Sequence, residues 1–212
     1  MNGWHGWLAN VVAAGARGLA GATIRWLDCS PEPRQRVYFA NHTSHLDFVV
    51  LWSALPHALR MQTRPVAAKD YWQSGLRRRL AVNVFRAILV ERSAPADREE
   101  QLQSARRSLD RLLEALEHKE SLIIFPEGTR GRGDEVGPFK SGLYYLWLKR
   151  PDVQFVPVYL ANLNRVLPKG EVLPVPFISR VAFGPPLTPA ENQSKELFLR
   201  EARAALCALQ QA

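Results

Sequence analysis

The sequence predicts an α/β domain with a mixed central sheet flanked by helices. Short runs rich in β-branched and aromatic residues recur along the chain, each short enough to be a buried strand. Segments of helical length lie between several of them, and strands interleaved with helices indicate a sheet covered by helices. The 212 residues, 47% hydrophobic and 23% charged, are ordinary globular material with enough apolar content for a sizeable core.

Residues 1–30 form a distinct first segment, and 31–212 the main domain. The stretch WHGWLANVVAAGARGLAGATIRWLD (4–28) is apolar and bounded by tryptophans, but Arg17 and Arg25 interrupt it. Its uncharged run, 6–16, has 11 residues, whereas a membrane-spanning helix needs about 20. No basic region precedes it, so it does not read as a secretory signal. Trp4, Trp7, Leu8, Val11 and Val12 suit a helix lying in a membrane interface, and equally a helix packed on the protein. CSPEPRQR (29–36) is a proline-broken connector.

The main domain opens with a strand, RVYFA (36–40). DFVVLWSAL (47–55) is a helix with Asp47 as N-cap, stopped by Pro56. RPVAAK (64–69) is a strand, YWQSGLRRRLAVNVF (71–85) a helix and AILVE (87–91) a strand. Residues 98–119 are the clearest helix. Asp97 and Glu100 make a capping-box variant, and Leu102, Leu109, Leu112, Leu113 and Leu116 share one face. Strands SLIIF (121–125), VQFVPVYL (153–160) and SRVAFG (179–184) follow, and Thr188-Pro189 opens a last helix to about residue 210.

The net charge of +8 calls for an anionic partner: nucleic acid, an acidic protein, anionic lipid or a phosphorylated substrate. Nucleic acid is disfavoured because the tryptophans gather in the apolar N-terminus and not among basic residues. Cys29 and Cys207 have no metal or redox spacing and read as reduced cytosolic thiols.

The chemistry concentrates in two places. The strand at 36–40 breaks into Asn41, His42, Thr43, Ser44, His45, Leu46 and Asp47. Four residues between His42 and Asp47 let the chain double back, so that the carboxylate orients the imidazole as a general base. A polar turn that caps the next helix fits the same spacing. Ser44 as a nucleophile would make a Ser/His/Asp set, but no nucleophile elbow surrounds it. No metal is expected: Phe48 stands where a metallohydrolase-type run would place its last histidine, and no histidine follows His118. The second place is SLIIFPEGTRGRGDEVGPFKSG (121–142), where a buried strand delivers Glu127, Gly128, Thr129 and Arg130 and a glycine-rich loop carries Arg132 and Lys140. Exposed N–H groups beside a guanidinium suit a phosphate.

NHTSHLD with FPEGTR downstream resembles the glycerolipid acyltransferase family typified by 1-acylglycerol-3-phosphate (lysophosphatidate) acyltransferases. Four family blocks are matched. Asn41, His42, Ser44 and Asp47 match N-H-x-S-x-x-D; residues 125–130 match F-P-E-G-T-R; Val156-Pro157-Val158 match the fourth. RAILVER (86–92) matches G-x-x-F-I-D-R loosely, keeping Arg92, with Arg86 in place of glycine. The resemblance implies a glycerol-3-phosphate acyltransferase-like fold and His42, oriented by Asp47, as catalytic base. It implies Asn41, Ser44, Arg92, Glu127, Gly128, Thr129, Arg130 and Lys140 as substrate-binding residues, with backbone N–H groups near Gly128 as oxyanion donors. No cofactor is implied, only acyl-CoA or acyl carrier protein as co-substrate. The acceptor is a lysophospholipid, most naturally 1-acylglycerol-3-phosphate, giving phosphatidate. Glycerol 3-phosphate, dihydroxyacetone phosphate or a lyso-aminolipid are alternatives within the family, and a non-catalytic lipid-binding relative is an alternative outside its chemistry. The expected location is peripheral, on the cytoplasmic face of the inner membrane, with Arg60, Arg64, Lys69 and Arg77-Arg78-Arg79 available to lipid headgroups, coenzyme A phosphates or acyl carrier protein. LAVNVFRAILV and YYLWL are candidate walls for the acyl chain, or plain core.

Overall fold

A computed structural model describes residues 11, 14, 15, 18, 21–44, 46–69, 75–91, 97–131, 135–163 and 179–211. Among the described residues seven strands form one sheet: β1 (Thr23–Trp26), β2 (Arg36–Ala40), β3 (Thr63–Ala68), β4 (Ile88–Val90), β5 (Ser121–Ile124), β6 (Gln154–Ala161) and β7 (Arg180–Phe183). Their order is β1-β7-β6-β2-β5-β3-β4. All neighbours are parallel except β6 and β7. The expected mixed sheet is therefore five parallel strands joined to a reversed pair. Helices bounded within the described residues are α1 (Asp47–Ala54), α2 (His57–Met61), α3 (Gly75–Arg79, continuing as a π-turn through Val84), α4 (Arg98–Glu117), α5 (Gly142–Lys149) and α6 (Lys195–Ala208).

Strand alternation sorts the core into two layers. Tyr38, Ala40, Ile123, Val156 and Val158 face α1, α2 and the π-turn. Val37, Phe39, Leu122, Ile124 and Phe155 face α4, α5 and α6. The central strand β2 is buried along its whole length, as a parallel strand covered on both faces must be. Helix α1 is almost wholly buried, which is why its sequence is apolar all round. Asp97 caps α4 as expected, its carboxylate accepting from Glu100 N at 2.7 Å.

Several elements differ from the sequence reading. Thr23–Trp26, inside the apolar segment read as helical, is the edge strand β1, and Trp26 stacks on Phe183 with ring centroids 3.9 Å apart. This tryptophan packs on the protein. Helix α6 begins at Lys195, capped by Ser194, and not at Thr188-Pro189; Asn192, at φ 59°, is in the left-handed region and cannot continue a helix. Helices α2 and α5 carry no marked start or amphipathic period in the sequence. In α5, Trp147 stacks on Phe198 of α6 at 4.8 Å, so YYLWL contributes to the core. Ala81, Val84 and Phe85 are likewise core residues, Phe85 edge-on to Phe48 and Trp52. No helix among the described residues is long and apolar enough to cross a membrane. Most of residues 1–20 lie outside the described residues.

Much of the basic surplus is used internally. Arg60 is buried with its guanidinium 5.0 Å over the Trp52 ring. Arg64 pairs with Glu120 at 2.9 Å, Arg86 pairs with the same carboxylate, and Lys69 pairs with Glu91 at 3.0 Å. Arg86 has φ 52°, a backbone region that glycine occupies without strain. Arg78 and Arg79 remain exposed on α3.

Candidate active site

The parallel neighbours β2 and β5 end side by side, so the loops after Ala40 and Ile124 leave the same edge of the sheet, where α/β proteins place their sites. Asn41 prolongs the ladder with its side chain. Its Oδ1 accepts from Leu160 N at 2.8 Å and its Nδ2 donates to Leu160 O at 2.9 Å. This buried amide locks the end of β2 to β6 and fixes where the next residue starts.

That residue is His42. Its Nδ1 lies 2.8 Å from Asp47 Oδ2. The same oxygen accepts from Thr43 N at 2.6 Å and Ser44 N at 2.8 Å. Asp47 is the first residue of α1, and its carboxylate points back into the loop instead of capping the helix; Leu46 is the N-cap and makes no side-chain cap bond. Asp47 is fully buried and the His42 side chain is 14% exposed. A carboxylate on Nδ1 fixes the proton there and leaves Nε2 as the basic nitrogen. The imidazole also stacks on Phe125, centroids 4.4 Å apart at 26°. Two backbone bonds complete its seat: His42 N donates to Glu127 Oε1 at 2.8 Å, and His42 O accepts from Gly131 N at 2.8 Å.

The second motif folds over this pair. Glu127 is buried, and its other oxygen, Oε2, accepts from Gly137 N at 2.8 Å. Both carboxylate oxygens therefore brace backbone. Gly128 has φ 71°, and a Cβ there would lie 2.7 Å from Lys140 Cε and Nζ. Glycine is needed both for the turn and for the lysine that passes over it. Gly128 N donates to Phe125 O at 3.0 Å, so this N–H, expected among the oxyanion donors, is committed to the turn. Thr129 is exposed. Arg130 is half-exposed and forms no hydrogen bond or ion pair with any described residue.

The structure thus brings His42, Asp47, Glu127, Gly128 and Lys140 into one connected loop cluster. Ser44 is 1% exposed, and its Oγ accepts from Leu46 N at 3.3 Å, so it shapes the loop and does not present a nucleophile. Arg92, His45 and Arg132 lie outside the described residues. No group of three metal-ligating side chains occurs among the described residues. The sequence reading missed Phe125, Gly131 and Gly137. Gly137 had a signal, since the glycine-rich loop was visible, but only packing shows that a Cβ there would meet Glu127 Oε2 at 2.9 Å.

An acyltransferase family profile matches residues 23–161. A 1-acyl-sn-glycerol-3-phosphate acyltransferase from Limnanthes douglasii is 32% identical over 157 residues, covering 73% of this chain and 50% of the relative. One from Limnanthes alba matches to the same extent. The chain spans about half the length of these curated relatives. Among solved structures, the 1-acyl-sn-glycerophosphate (LPA) acyltransferase PlsC from Thermotoga maritima superposes with a TM-score of 0.74 at 17% identity. The match covers 97% of this chain and 78% of that one, a likeness of fold.

Proposed function

The chain belongs to the acyltransferase family, and from that premise we propose that it moves a fatty acyl group from a thioester to the free hydroxyl of 1-acylglycerol-3-phosphate. The observation that carries this reading is the buried Asp47 carboxylate 2.8 Å from His42 Nδ1, at a sheet edge that also bears two cations without ion-pair partners among the described residues, Arg130 and Lys140. His42 Nε2 takes the proton of the acceptor hydroxyl as its oxygen attacks the thioester carbonyl. The tetrahedral intermediate collapses with cleavage of the C–S bond, and the imidazolium returns the proton to the departing thiolate. Asp47 steadies the imidazolium between these steps. Chemistry of this kind needs no covalent acyl-enzyme.

Arg130, with Lys140 and Arg92, supplies charge for the acceptor phosphate. The donor is acyl-CoA or acyl carrier protein. Work at a membrane surface follows from the acceptor: the apolar N-terminal segment and exposed Arg78 and Arg79 are the contacts we assign to an anionic cytoplasmic leaflet.

Purified full chain incubated with labelled acyl-CoA or acyl carrier protein and a panel of lyso-acceptors, with products identified by mass spectrometry, tests the reading. Phosphatidate is the expected product, and His42→Ala should abolish it while circular dichroism stays native. A product formed from a different acceptor, or normal turnover by His42→Ala, refutes the acceptor or the mechanism respectively.

A further inference from the structure

A single peptide group links the C-terminal helix to the histidine. Arg203 lies on α6, beyond the residues that match the family profile. Its Nη2 and Nε donate to Val136 O at 2.6 and 3.0 Å, and Nε also reaches Gly137 O at 3.2 Å. At the other end of the Val136–Gly137 peptide, Gly137 N donates to Glu127 Oε2 at 2.8 Å. Glu127 Oε1 in turn accepts from His42 N at 2.8 Å.

The charges along this line are matched. A guanidinium sits on the carbonyl end of the peptide dipole and a carboxylate on its N–H end, so each bond polarises the group in the sense that strengthens the other. Gly137 is required in the middle, because a Cβ there would lie 2.9 Å from Glu127 Oε2. With its second oxygen fixed, the Glu127 carboxylate has one orientation in which to hold the His42 amide. That orientation matters, because a base displaced by a fraction of an ångström leaves the hydroxyl it must deprotonate.

We propose that Arg203 is a positioning residue for His42, acting through the Val136–Gly137 peptide and the Glu127 carboxylate; the proposal rests on the acyltransferase reading above. Arg203 itself is exposed, while its neighbours Ala202 and Leu206 seat α6 on the core and the Val136 side chain is buried. Removing the guanidinium therefore frees the peptide to rotate without detaching the helix or the loop.

The test compares steady-state kinetics and His42 amide hydrogen exchange in the full chain. Arg203→Ala should lower kcat about tenfold, with both KM values within about twofold of wild type, since one charge-assisted restraint is lost and no substrate contact. Arg203→Lys should recover part of the loss. Arg203→Ala combined with Glu127→Gln should be no slower than Glu127→Gln alone, because both cut one line. The His42 amide should exchange faster in Arg203→Ala. Unchanged kcat, unchanged exchange, or additive losses in the double variant each overturn the proposal. A wild-type chain that acylates no acceptor overturns the functional reading instead, and amide exchange then still decides whether Arg203 holds His42.

Discussion

Replacing Asp47 by asparagine separates the charge of the His/Asp pair from its geometry. Asp47 Oδ2 accepts three hydrogen bonds, from His42 Nδ1, Thr43 N and Ser44 N. Its Oδ1 is buried with no hydrogen-bond partner among the described residues. An asparagine therefore settles with its amide oxygen where Oδ2 was, because the opposite placement would set an NH2 against two backbone N–H donors. All three accepted bonds survive, and so does the His42 tautomer. What the imidazolium loses is the negative charge beside it; the amide NH2 falls at the partnerless Oδ1 site, a cost to folding stability that thermal denaturation reads separately from kcat. Bonds to charged groups contribute about 1.5–3 kcal/mol and neutral ones about 0.5–1.5, so the difference is about 1–2 kcal/mol. That corresponds to a fall in kcat of about 5- to 30-fold. KM should not move, since Asp47 is fully buried. Initial rates of acyl transfer at saturating donor and acceptor, with Asp47→Ala alongside, provide the assay. Asp47→Ala orphans three donors and should lose about 100- to 10,000-fold. Asp47→Asn at wild-type kcat refutes the role of the charge, and a loss as deep as that of Asp47→Ala refutes the placement of the amide.

Arg130→Ala should raise the acceptor KM by about 10- to 100-fold, the worth of one charge-assisted phosphate contact; a larger rise in the thioester KM would remove Arg130 as the phosphate ligand. Gly128→Ala forces a side chain into a φ of 71° and against Lys140, which costs about 1–2 kcal/mol. In a chain of this size thermal denaturation should then fall by about 2–8 °C, and an unchanged midpoint would show that the turn relaxes freely. Deleting residues 1–20, which spares strand β1, should weaken sedimentation with anionic liposomes; full binding by the truncated chain would place the membrane contact elsewhere.

The legible part of this protein was local. Runs such as SLIIF and VQFVPVYL are buried on both faces, so apolarity marked them as strands. The D-x-x-E start of α4 held because a cap is settled within four residues. His42 and Asp47 were legible as a pair only with FPEGTR downstream, because their five-residue step alone fits a helix-capping turn equally well. What stayed illegible depended on partners far along the chain. Thr23–Trp26 is a strand because β7, more than 150 residues later, offers it a ladder and Phe183 a ring to stack on. Arg64 and Lys69 looked free until packing set carboxylates beside them. Glu127, read as a substrate contact, has both oxygens occupied by the N–H groups of His42 and Gly137. The sequence alone determined which residue types stand at the sheet edge and in what order. Tertiary structure decided which of them remain available to a substrate, because a hydrogen bond between distant segments commits a polar group in a way no local spacing can record.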